Sequence, residues 1–143
     1  MKSIFVRITV ATVVVFMVGA AMMWPAQNGS AKQQLIETAH ISQQAYSLYR
    51  KGGYATAKAA LSGHIEYLDR LTATSARPNA NPAAVDAMIF TVRLAKLEEK
   101  HGGADKAKYM QDASARCTKL QHPWQNCSEN ILRQKVDQMD QWH

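Results

Sequence analysis

Apolar residues recur at helical spacing over most of the chain and nowhere alternate with period two, so the pattern predicts an all-α protein. Leu35, Ala39, Ser42, Tyr46 and Tyr49 fall on one face of a first helix that begins near Ala31 and stops at Gly52-Gly53. A second helix, from about Tyr54 to Leu71, carries Ala57, Leu61, Ile65, Leu68 and Leu71 on one stripe. The two-glycine break between them leaves room only for a tight antiparallel hairpin. Thr72–Asn81 is aperiodic and contains Pro78, as a loop would be.

Asn81-Pro82 then supplies an N-cap and a proline at the first helical position. The third helix, ending near His101, is apolar on two sides. Val85, Met88, Ile89 and Val92 form one stripe, and Phe90, Leu94 and Leu97 the other. A helix of that kind belongs at the centre of a domain. After Gly102-Gly103, a fourth helix turns Ala107, Met110, Ala113, Cys117 and Leu120 inward. Gln121–Asn126 reads as a turn, and Asn126-x-x-Glu129 as a capping box opening a last helix with Leu132, Val136 and Met139 inward. The expected architecture is a small five-helix domain of antiparallel hairpins over 34–143.

The N-terminus departs from this periodicity. Ile8–Trp24 is an almost unbroken apolar run behind Lys2 and Arg7, so residues 1–24 read as a transmembrane helix or a signal sequence. Positive charge ahead of the run orients the N-terminus toward the cytoplasm. Trp24 suits a membrane interface and Pro25 ends the helix. Small-x-small triplets at Val18-Gly19-Ala20, Gly19-Ala20-Ala21 and Gly29-Ser30-Ala31 keep cleavage open as the second reading. Residues 25–33 are small and polar, a tether. Both readings export the rest of the chain; the anchored one makes this a single-pass inner-membrane protein whose C-terminal domain faces the periplasm or the outside.

Composition narrows the partners. The formal charge is +6, and without Lys2 and Arg7 the exported part keeps a net of +4, interspersed along the helices. That distribution argues against nucleic acid as the partner, and it fits an ordinary solvated helical surface better than one built for an anionic membrane or an acidic protein. Cys117 and Cys127, in an oxidising compartment, are expected to form a disulfide, worth about 3 kcal/mol for so short a loop. The rival use of Cys117, His122 and Cys127 as metal donors lacks a fixed fourth ligand. Neither a metal site nor another cofactor is therefore expected.

Small residues mark both hairpin turns. Gly52-x-Tyr54-x-x-Ala57-x-x-x-Leu61 follows Ala45, and Gly102-x-Ala104-x-x-Ala107 follows Leu94-Ala95. Over residues 38–120 this resembles the tetratricopeptide repeat, in which small residues let two antiparallel helices pack closely. The glycine pairs lie about 50 residues apart, against 34 in that family. Gln111 and His64 stand where the family has a large apolar and a small residue, and its closing proline is absent. The resemblance implies a protein-binding groove made by the first helix of each hairpin, with the last helix capping the array.

Catalytic chemistry is not expected. No G-x-S-x-G occurs, no two of His40, His64, His101, His122 and His143 have metal-pair spacing, and Glu98-Glu99 point to different sides of their helix. His64 falls on the apolar stripe of its helix, as a core histidine would. Tyr46, Tyr49 and Tyr54 gather around the first turn; they either pack the hairpin core or, as the candidate protein-binding residues, offer aromatic side chains with polar tips that suit interfaces. Trp124 and Trp142 flank the last helix as candidate clamps. The expected function is a membrane-anchored envelope adaptor that binds another protein; a soluble protective factor or inhibitor and a small-ligand or metal carrier are the alternatives.

Overall fold

The computed structural model describes residues 32–121, 124 and 126–142. The apolar run Ile8–Trp24, most of the tether, His122 and His143 lie outside the described residues. Among the described residues no helix is long and apolar enough to cross a membrane. Contacts divide the chain into two units, Met1–His40 and Ile41–His143. In the first, residues 32–40 are helical and expose Leu35 and Ile36. The second holds the core.

The described residues are all-α, with five helices and no strand: α1 (32–51), α2 (Tyr54–Ala73), α3 (Pro82–His101), α4 (Lys106–Lys119) and α5 (Glu129–Gln141). A short 3-10 turn, Pro78–Ala80, interrupts the loop before α3. Asn81 caps α3 as expected, its side-chain oxygen accepting from the Ala83 N–H at 2.9 Å, with Pro82 in the first turn. Gly102 ends α3 in the left-handed region at φ 68°, and the N–H of Gly103 returns to the Glu98 carbonyl.

Gly52 is needed at the first turn. A Cβ there would meet the Leu48 carbonyl oxygen at 2.5 Å. The resulting hairpin is antiparallel: Ser42 and His64, each about ten residues from the turn, bond to one another. α5 is antiparallel to α3, since Arg133, Asp137 and Asp140 reach back in turn to Glu99, Lys96 and Arg93. Arg116 holds α4 to α2 through a two-pronged pair with Asp69 at 2.6 and 2.9 Å.

α3 is the central helix, buried from Ala87 through Ala95 and again at Leu97 and Glu98. One core joins its Phe90, Leu94 and Leu97 to Ala45, Ala57, Leu61 and Leu68. The other joins its Met88, Ile89 and Val92 to Met110, Ala113, Cys117, Leu132 and Val136. The largest of these side chains contribute roughly 1.5–3 kcal/mol each by leaving water.

Several expected inward positions are exposed. Leu35 and Ala39 are exposed, because the described core on the α1 side begins only at Ala45. Ala107 is exposed: α4 starts at Lys106, and its inward stripe opens a turn later, at Met110. Met139 is 36% exposed and its neighbour Asp140 is buried instead, drawn in by Arg93. The capping box is also displaced. Ser128 is the N-cap of α5 with no side-chain bond, and Asn126, two residues ahead of it, accepts from the Ser128 N–H through Oδ1.

Candidate functional site

The tight α1–α2 hairpin brings the second half of α1 alongside α3, and two recesses open between them. The first, about 600 Å³, is lined by Ser42, Tyr46, Arg50 and Lys51 from α1 and by Asp86, Phe90 and Arg93 from α3. The second, about 570 Å³, lies between Tyr49 and Arg50 of α1, Lys96, Leu97 and Lys100 of α3, and Asp137 and Asp140 of α5. Arg50 lines both.

Arg93 organises the floor. Its guanidinium lies 4.5 Å from the Tyr46 ring centre and 4.9 Å from that of Phe90, a contact worth about 0.5–2 kcal/mol. Its Nε and Nη2 both donate to Asp140 Oδ1, at 3.0 and 2.7 Å. Lys96 pairs with Asp137 and, at 3.3 Å, with the other Asp140 oxygen. Both Arg93 and Asp140 are more than nine-tenths buried, so each depends on the other for its charge. Burial pushes the Tyr49 phenol up, partly offset by Lys96, and burial raises the Asp86 carboxyl against the pull of Arg93.

Two of the three candidate tyrosines meet here. Tyr46 and Tyr49 have ring centres 6.1 Å apart and line adjoining recesses. Tyr54 lines neither. Its hydroxyl donates to Glu98 Oε1 at 2.7 Å, and its ring lies 5.0 Å from that of His101. Lys58 joins the same carboxylate at 2.8 Å, and the Asp105 N–H approaches the other oxygen at 3.4 Å. The hydrogen bonds from Lys58 and then Tyr54 hold the Glu98 carboxyl below its usual range. Glu98 is 1% exposed and its partners are half-buried, so this cluster is a clasp over a buried carboxylate, joining the start of α2 to the end of α3 and the entry of α4.

His64 is a core histidine, as its stripe implied. Its Nε2 lies 2.9 Å from Ser42 Oγ, its ring meets the edge of Phe90 at 4.5 Å, and its Nδ1 is buried without a hydrogen-bond partner. Burial first, and Arg93 second, lower its pKa and keep the ring neutral.

Cys117 and Cys127 form a disulfide, with Cα atoms 5.7 Å apart. Cys117 is in the last turns of α4, but Cys127 precedes the N-cap of α5 instead of standing in its first turn. Both sulfurs are taken, and the third donor considered with them, His122, lies outside the described residues. Trp124 is half-buried against the second core, whereas Trp142, expected to clamp α5, is 86% exposed just past its end.

Sequence reasoning missed Arg93, Lys96 and Asp140. A signal for Asp140 was present, because it extends the inward row Leu132–Val136 by one further i,i+4 step. Arg93 sits between the two apolar stripes of α3, where helical spacing alone gives no reason to single it out. Comparison with known protein families, with curated proteins and with solved structures finds no match for this chain.

Proposed function

We propose that the chain is a membrane-anchored helical adaptor of the cell envelope, whose exported domain binds another protein along the face between α1 and α3. The observation that carries this reading is the pair of recesses floored by Tyr46, Tyr49 and Phe90 and rimmed by charge. Aromatic side chains in a concave, partly desolvated site are what protein interfaces concentrate. α1 and α3 are the first helices of successive hairpins, so the arrangement also agrees with a tetratricopeptide-like groove, with α5 as its cap. The apolar run Ile8–Trp24 behind Lys2 and Arg7 supports the anchor and the outward placement of the domain.

The test is site-specific crosslinking in native membranes. A photoreactive residue at Ser47, exposed on the rim of the first recess, is expected to trap one discrete partner, and the same residue at exposed Glu66 on α2 is not. Tyr46→Ala with Tyr49→Ala is expected to lower the yield while the helical spectrum persists. Equal labelling from both positions would remove the groove from consideration. Intact mass of the membrane-extracted chain separates the anchored protein from a cleaved, soluble factor.

A further inference from the structure

The two recesses do not carry balanced charge. Their walls present five cations, Arg50, Lys51, Arg93, Lys96 and Lys100, against three carboxylates. The carboxylates of α5 are already engaged, Asp140 by Arg93 and Lys96, and Asp137 by Lys96. The third, Asp86, is half-buried across from Arg93. Arg50, Lys51 and Lys100 remain exposed on the rim, and among the described residues no carboxylate comes within ion-pair distance of any of them. Arg50 reaches only the main-chain carbonyl of Asp140, at 3.5 Å. The negative ends of α1 and α3 offset part of this charge, about half a unit each, which leaves a surplus near the shared end of the groove.

From this surplus over an aromatic floor we infer that the partner segment accepted by the α1–α3 groove is an acidic peptide, with carboxylates set against Arg50, Lys51 and Lys100 and an apolar side chain seated over Tyr46 and Phe90 in the first recess. The inference rests on the binding face proposed above and adds the chemistry of what fills it. From Ser42 to Lys51, α1 offers roughly 14 Å of wall at 1.5 Å per residue. An extended segment of about four residues spans that distance. Asp86, which makes no ion pair among the described residues, lines the first recess and would repel a uniformly anionic ligand there, such as a nucleic acid or an anionic lipid surface. A peptide that alternates carboxylates with an apolar residue fits both features.

The experiment uses the full-length chain in zwitterionic micelles. It is titrated with three fluorescent peptide pools that share an apolar centre and carry flanking Asp/Glu, Lys/Arg or Ser/Gln. The acidic pool is expected to bind best and to weaken as salt rises. The triple variant Arg50→Gln, Lys51→Gln, Lys100→Gln is expected to lose about tenfold in affinity for it, the sum of three rim contacts. Tyr46→Ala should weaken the acidic and neutral pools alike.

Equal affinity for the three pools, or an unchanged triple variant, would overturn the inference. So would competition by short-chain phosphatidylglycerol or a short oligonucleotide stronger than that of the acidic peptide, which would assign the charge to a lipid or nucleic-acid surface. If crosslinking at Ser47 traps a partner that the triple variant captures as well as the wild type, the groove stands and only its acidic preference falls. If Ser47 traps nothing, the groove itself falls.

Discussion

The two flanks of α3 are built to different standards of closure. On the α4–α5 side the core is aliphatic and sulfur-rich, with Met88, Val92, Ala113, Cys117, Leu132 and Val136 at essentially no exposure. α5 is sealed there at both ends, by the Cys117–Cys127 bridge before it and by the Arg93–Asp140 pair at its last turn. On the α1–α2 side, tyrosines stand half-buried at the margin, a histidine and a glutamate are buried within, and two recesses stay open to solvent. A 13-residue helix is near the length below which helices do not hold alone, so α5 depends on its two clamps. Among the described residues α1 carries neither a disulfide nor an ion pair, and its Tyr46 and Tyr49 stand half-buried beside the recesses. The closed flank is sealed on both sides of α5, and the open one is the face proposed above for a partner.

Arg93 joins the two, stacking on Tyr46 and Phe90 of the open flank while pairing with Asp140 of the closed one. The sharpest break of the comparison is therefore Asp140→Ala. It strands a buried guanidinium, and urea unfolding is expected to show a loss of roughly 3–5 kcal/mol. Replacing both partners, as Arg93→Met with Asp140→Leu, should recover most of that loss, because no unpaired charge then remains. A double variant as unstable as Asp140→Ala would mean that the pair is not the clamp.

Next in size is the disulfide. Replacing both cysteines by alanine should cost about 3 kcal/mol in the same assay, with hydrogen exchange rising first in α5. Uniform exchange across the domain would contradict its role as a local clamp.

On the open flank, Gly52→Ala is expected to destabilise by about 1–3 kcal/mol, because the new Cβ meets the Leu48 carbonyl oxygen at 2.5 Å. Gly53→Ala is the matched control, since nothing lies within 4 Å of its added methyl. Equal effects from the two would remove the close approach as the reason for a glycine at the turn.

The smallest effect is on pH. The pKa of His64 is lowered in the fold, so the unfolded chain binds the extra proton more readily. The stability that His64 contributes is full above its unfolded value of 6.5 and declines as pH falls through it toward the lower folded value. Exchange in 41–51 should rise on acidification before that in α5, and His64→Gln should flatten the response. The reverse order would place the acid-sensitive point on the closed flank.

The helices were legible because each carries one or two rows of apolar residues at helical spacing. Leu61, Leu68, Val92, Leu132 and Val136 follow from that periodicity and are at zero exposure. Tyr46 and Tyr49 were legible as neighbours one turn apart, but their companions Phe90 and Arg93 lie more than forty residues away, beyond the reach of any local pattern. Tyr54 belonged by spacing with the other two, yet Glu98 draws it into a separate clasp. Ala107 and Met139 matched inward positions by period and are exposed, Ala107 because packing of α4 begins a turn later at Met110, and Met139 because Arg93 draws in its neighbour Asp140 instead.

Local chemistry determined the number of helices, the two glycine turns, the cap at Asn81 and the central place of α3, since these depend on backbone preferences and side-chain period alone. Tertiary structure decided which charges are buried, where the groove opens and which tyrosines face it. A charged side chain can leave water only where a distant partner compensates it, and that partner is specified by the packing of whole helices, not by spacing along any one of them.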